Sequence, residues 1–85
     1  SENCVLQMVN GVCKLTRSQV GVAISGIAGP GGGTKDKPVG TVFMAWQIKN
    51  RNWVKKFKFS GNRQEIKLQS VQQVVYGLVK GLLEE

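Results

Sequence analysis

Residues 25–40 read Ser-Gly-Ile-Ala-Gly-Pro-Gly-Gly-Gly-Thr-Lys-Asp-Lys-Pro-Val-Gly and hold six of the chain's 11 glycines. Glycine lets a backbone approach a ligand closely because no Cβ stands in the way. Pro30 stiffens the turn and Pro38 ends it. The backbone N–H groups of Ser25, Gly26 and Ile27, at the end of an apolar run, suit a ligand carbonyl or a developing oxyanion. Ser25 adds a hydroxyl that donates or accepts. As a nucleophile it has no histidine to activate it, since the chain contains none. A second group stands at Gly61-Asn62-Arg63, where an arginine and the positive end of a helix can hold a phosphate or carboxylate. A third is the run Lys49, Arg51, Lys55, Lys56 and Lys58, interleaved with Trp53, Phe57 and Phe59 in the charge-plus-aromatic pattern of a nucleic-acid surface. The spacing favours a simpler reading, in which the aromatics turn inward and the lysines guard an edge strand.

Glycine richness invites two phosphate motifs, and neither fits. There is no Gly-x-x-x-x-Gly-Lys-[Ser/Thr], and Thr34 stands where Gly-x-Gly-x-x-Gly needs its last glycine. The segment leads into a strand rather than a helix, so no helix dipole cradles a phosphate there. Cys4 and Cys13 fall roughly 13 Å apart along one helix and on opposite sides, too far for a disulfide. Both are expected to be reduced, buried and apolar in role. Without a Cys-x-x-Cys pair or histidine the sequence points to no metal and no cofactor. The formal charge of +7 favours anionic partners. No apolar run reaches the roughly 18–20 residues of a membrane span and no secretory signal is evident, so a cytoplasmic protein is expected.

The elements that must position these groups follow from periodicity. Val5, Met8, Val9 and Val12 recur at helical steps and predict a helix over residues 2–14. Residues 19–24, with Val20, Val22, Ala23 and Ile24, predict a fully buried strand that feeds the glycine segment. Residues 41–48 are apolar on both faces and predict a central strand. Asn50, Arg51 and Asn52 predict a turn, followed by an edge strand that carries the lysines. Asn62 and Glu65 predict a capping box opening a helix to about Leu83, with Leu68, Val71, Val75, Leu78 and Leu82 as its buried stripe. With 85 residues the chain holds one small domain at most. The order helix-strand-loop-strand-strand-helix predicts an α/β fold, a three-layer α/β/α sandwich present here as an incomplete half. Ser1-Glu2 reads as though the chain began inside a larger domain.

The run Ser25-Gly26-Ile27-Ala28-Gly29-Pro30-Gly31-Gly32-Gly33-Thr34, followed by Lys37-Pro38-Val39-Gly40-Thr41-Val42, resembles the CinA C-terminal domain family of competence/damage-inducible proteins, which includes nicotinamide mononucleotide deamidases. Gly61-Asn62-Arg63 resembles the family's Gly-Asp-Arg segment, with Asn62 in place of Asp. The resemblance implies that residues 1–85 are the C-terminal half of one amidohydrolase domain. It implies hydrolysis of the carboxamide of nicotinamide mononucleotide with release of ammonia, without a metal. The family's nucleophilic serine, in Glu-Ser-Cys-Thr-Gly-Gly, and its lysine base do not occur here, so the chain alone is expected to be inactive. By the same resemblance Ser25 and Gly26 match the family's Thr-Gly pair beside the amide, and Arg63 matches its phosphate-binding arginine. The implied partners are a pyridine nucleotide and the missing N-terminal half. Self-association through apolar surface left bare is a further expectation. A noncatalytic nucleotide-binding or interaction domain is the alternative, and a nucleic-acid-binding module ranks below it.

Overall fold

The computed structural model describes residues 2–29 and 39–84, and of residues 27–29 and 39 the backbone alone. Five elements run in the order α1 (Glu2–Thr16), β1 (Val20–Gly29), β2 (Val39–Ile48), β3 (Arg51–Ser60) and α2 (Arg63–Leu83). The strands form one antiparallel sheet in the order β1-β2-β3. Period-two alternation gives the sheet two apolar faces, and one helix covers each. On one face Val5, Val9 and Cys13 of α1 pack on Ala23 and Ala45. On the other Ile66 of α2 joins Val42, Met44, Trp46 and Phe59. The result is an α/β fold in three layers, with β2 at its centre and Met44, Trp46 and Ile48 almost fully buried. Burying each such side chain contributes about 1.5–3 kcal/mol.

Several elements depart from the sequence reading. β1 was expected to end at Ile24, yet it runs on through Ser25 and Gly26 to Gly29, because the ladder with β2 continues from Ser25↔Phe43 to Gly29↔Val39. The rest of the glycine segment, residues 30–38, lies outside the described residues. β1 was expected to be buried on both faces, but it is an outer strand and leaves Val20 and Ile24 exposed. The turn between β2 and β3 is Lys49-Asn50, with Lys49 at φ 55, and Arg51 and Asn52 already belong to β3. In α1, Met8 and Val12 are exposed while Cys13 takes the inward position. Cys4 is exposed, and both cysteines are free thiols.

The largest departure is the rotation of α2 about its axis. Leu68, Val71, Val75 and Leu82 face outward, and of the expected stripe only Leu78 packs against the core. The cause is the volume of Trp46 and Trp53, which stack with centroids 5.7 Å apart on the sheet beneath the helix. A Cβ on Gly77 would stand 2.5 Å from Trp46, and one on Gly81 would stand 2.7 Å from Ile48 and Trp53. Only a face with these glycines admits the indoles. Two hydrogen bonds hold that approach: Trp46 Nε1 donates to the Val74 carbonyl at 3.2 Å, and Arg51 Nη2 donates to the Gly81 carbonyl at 2.8 Å.

The other end of α2 is fixed by the capping box. The Glu65 amide donates to the Asn62 side chain at 2.8 Å, and the Asn62 amide donates to Glu65 Oε1 at 3.0 Å. Asn62→Ala is therefore expected to destabilise the fold by about 1 kcal/mol, and Asn62→Asp to retain stability. Thermal unfolding of the two variants beside the wild type checks this.

Candidate functional site

The phase of the β1–β2 ladder decides which backbone groups β1 can offer. The Lys49 amide donates to the Gln19 carbonyl at 2.6 Å, so by alternation the peptide groups of residues 21, 23, 25 and 27 bond to β2. Those of Val20, Val22, Ile24, Gly26 and Ala28 point away from β2. Among the described residues no strand pairs with that side. Of the three amides at Ser25, Gly26 and Ile27, only the Gly26 N–H thus looks out of the open edge, while the other two belong to the ladder.

Side chains alternate in the same way. Ser25 lies on the α1 face, opposite Phe43, and is half-buried. Gly26 lies on the α2 face, opposite Val42. There it joins Arg63, Lys67, Ile24, Val42 and Val71 around a groove of about 420 Å³ between β1 and the N-terminal half of α2. The sheet therefore brings Gly26 and Arg63 together across a large sequence separation and sets the Ser25 hydroxyl on the opposite face. A ligand touched by all three must lie along the open edge of β1, where the two faces meet. For Ile27 the backbone alone is described, in register with Thr41.

The groove has an apolar floor of buried Val42 and Ile66, apolar sides of exposed Ile24 and Val71, and a basic rim of exposed Arg63 and Lys67. Ser70 also lines it, but its hydroxyl donates to the Ile66 carbonyl at 2.8 Å. The positive end of the α2 dipole adds to the two cations. The Glu65 carboxylate, in the same turn, sets one negative charge against them and accepts from the Asn62 amide. The pairing suits an anion at the rim with an apolar or aromatic body inside. Lys67 and Ser70 were missed by the sequence reading, although their signal was present: positions 63, 67 and 70 fall on one stripe of a helix.

The basic run on β3 divides between the faces. Arg51, Trp53, Lys55, Phe57 and Phe59 share the α2 side, while Lys56 and Lys58 share the α1 side with Val54. Among the described residues no three His, Cys, Asp or Glu side chains converge as metal ligands, and no helix is long and apolar enough to cross a membrane.

The family model described as "CinA C-terminal domain" matches residues 1–82. A protein named CinA-like, from Thermotoga neapolitana, is 48% identical over 84 residues, covering 99% of this chain and 20% of the relative. Competence-damage inducible proteins of Clostridium perfringens and Clostridioides difficile are each 41% identical over 75 residues, covering 88% of this chain and 18% of their own length. The chain thus spans about 20% of the length of the curated relatives it matches. No solved structure gives a significant match.

Proposed function

Because the chain belongs to the CinA C-terminal domain family, we propose that it carries the nucleotide-facing half of a cytoplasmic amidohydrolase site that converts nicotinamide mononucleotide to nicotinate mononucleotide and ammonia. The observation that carries this reading is the shared groove of Gly26 and Arg63. Arg63, with Lys67 one turn on, binds the ribose phosphate. The apolar interior receives the pyridine ring. The carboxamide lies at the open edge of β1, where the Gly26 N–H donates to its oxygen. Ser25 approaches from the other face as a hydrogen-bonding neighbour of the amide.

A serine outside this chain, as the resemblance implies, passes its proton to the lysine base and attacks the carboxamide carbon, and the C=O π electrons move onto oxygen. The Gly26 N–H stabilises that oxyanion. The carbonyl re-forms as ammonia leaves with a proton from the base, and water then cleaves the acyl intermediate to the carboxylate. The segment bearing this serine is the partner the reading requires. The exposed apolar stripe of α2 also fits self-association of the whole protein.

The chain alone is expected to bind nicotinamide mononucleotide without releasing ammonia, and the chain joined to a serine- and lysine-bearing half is expected to release it. Arg63→Ala in the joined protein should raise KM about tenfold and leave kcat nearly unchanged, as removal of a phosphate contact far from the amide requires. Ammonia from the isolated chain, or a KM indifferent to Arg63, overturns the assignment. Binding by the joined protein without turnover leaves a noncatalytic nucleotide-binding domain in its place.

A further inference from the structure

A second cavity, of about 570 Å³, lies at the opposite end of α2, between that helix and the outer strand β3. Its walls include the aromatic side chains of Trp53, Phe57 and Tyr76 and the cationic ones of Arg51, Lys55 and Lys80. It shares no residue with the Gly26–Arg63 groove. Its volume falls within the range of small-ligand sites, about 300–1,000 Å³.

The cations differ in their commitments. Arg51 is tied to the fold, for it donates to the Gly81 carbonyl and its guanidinium lies 5.8 Å from the Trp53 ring centre. Lys55 and Lys80 are exposed and form no ion pair among the described residues. Among the described residues Lys80 reaches the Tyr76 ring alone, at 5.9 Å. Among the described residues Glu84 is the one acidic residue lining the cavity, against three cations. Unneutralised positive charge therefore surrounds a space walled by aromatic rings. Tyr76 itself is 56% exposed, although it stands in the cavity wall. A phosphate would neutralise Lys55 and Lys80, and a planar ring would cover Tyr76 and Phe57.

We propose that this crevice is a second ligand site, independent of the Gly26–Arg63 groove, that takes a nucleoside monophosphate. The base lies against Tyr76 and Phe57, and the phosphate is held between Lys55 and Lys80. The volume of this open crevice matches one nucleotide, whereas a nucleic-acid strand would call for a continuous track of rings.

Adenosine 5′-monophosphate is the probe, and its binding is read by calorimetry and by the change in tryptophan emission, since Trp53 lines the cavity. Adenosine and inorganic phosphate should each bind at least about tenfold more weakly, because each supplies half of the contacts. Lys55→Ala and Lys80→Ala should each weaken binding about fivefold or more. Tyr76→Phe should retain affinity and Tyr76→Ser should lose it, both at a residue exposed enough to leave the fold intact. Arg63→Ala, which disables the other groove, should leave this binding unchanged. The proposal fails if the folded protein shows no response to adenosine 5′-monophosphate. It also fails if phosphate alone binds as well, or if Arg63→Ala abolishes the signal while Lys80→Ala does not. Tight binding of an oligonucleotide with steep salt dependence, in place of the mononucleotide, would instead make β3 a nucleic-acid surface.

Discussion

Gly77→Ala is expected to destabilise the protein by about 2 kcal/mol, a fall in Tm of about 10 °C for a domain this small. The sign is the informative part. In a helix interior alanine is better than glycine by about 1 kcal/mol, so propensity alone predicts a gain. Against it, the new Cβ would stand 2.5, 2.6 and 2.7 Å from three atoms of the Trp46 indole. Trp46 is 1% exposed, stacks on Trp53 and donates to the Val74 carbonyl, so it cannot swing aside. The helix must lift, and overpacking of that kind costs about 1–3 kcal/mol or more, beyond the propensity it offsets. Gly11 is the internal control. It lies in α1, and a Cβ there meets nothing within 4 Å. Gly11→Ala should accordingly stabilise by about 0.5–1 kcal/mol. Parallel denaturant titrations of the two variants test the pair, and two changes of the same sign would refute the account of α2.

That helix also shows where sequence reading reaches its limit. Leu68, Val71, Val75, Leu78 and Leu82 have the spacing of a buried stripe, and so do Ile66, Ser70, Val74, Gly77 and Gly81. Periodicity cannot choose between two faces offset by part of a turn. The choice rests on the sheet beneath, where the stacked pair Trp46 and Trp53 fills the space that larger helical residues would need. A usable signal was present, since two glycines one turn apart inside a helix cost about 2 kcal/mol in propensity and so point to a close approach. The capping box of Asn62 and Glu65 was legible because it depends on residues three apart and on nothing else. β2 was legible as the central strand because both of its faces are apolar. β1 carries the same apolar signature but, among the described residues, pairs on one side alone, because pairing partners are a property of the whole sheet rather than of a strand.

The candidate site divides along similar lines. Composition and turn chemistry marked residues 25–40, and the end of a helix marked Arg63, but no local rule relates them. Their meeting across one groove follows from antiparallel pairing, which sets Gly26 opposite Val42, and from the path of α2 across that face. The pleat then separates Ser25 from Gly26 by placing their side-chain directions on opposite faces. Adjacency in sequence suggests one cluster, and along a strand it means the reverse.

Gly26→Val is expected to weaken binding of nicotinamide mononucleotide about 100-fold while changing stability by less than about 1 kcal/mol. Valine suits a strand better than glycine does, which favours the variant. Its Cβ would lie 3.1 Å from the Thr41 carbonyl oxygen and from Val42 Cγ2, and 3.2 Å from Val42 Cα, close enough that β2 must give by a few tenths of an ångström. These terms oppose each other, so the fold survives. The groove does not, because the two methyl groups stand where the strand is bare, between Ile24, Val42 and the helix that carries Arg63. A ligand whose ring occupies that interior is excluded, whereas Arg63→Ala removes only the hold on its phosphate. Calorimetric titration of Gly26→Val, with unfolding measured on the same preparation, separates loss of the groove from loss of the fold. Affinity within twofold of wild type would place the pyridine ring elsewhere. Loss of nicotinamide mononucleotide binding with adenosine 5′-monophosphate binding intact would assign the two ligands to the two ends of α2.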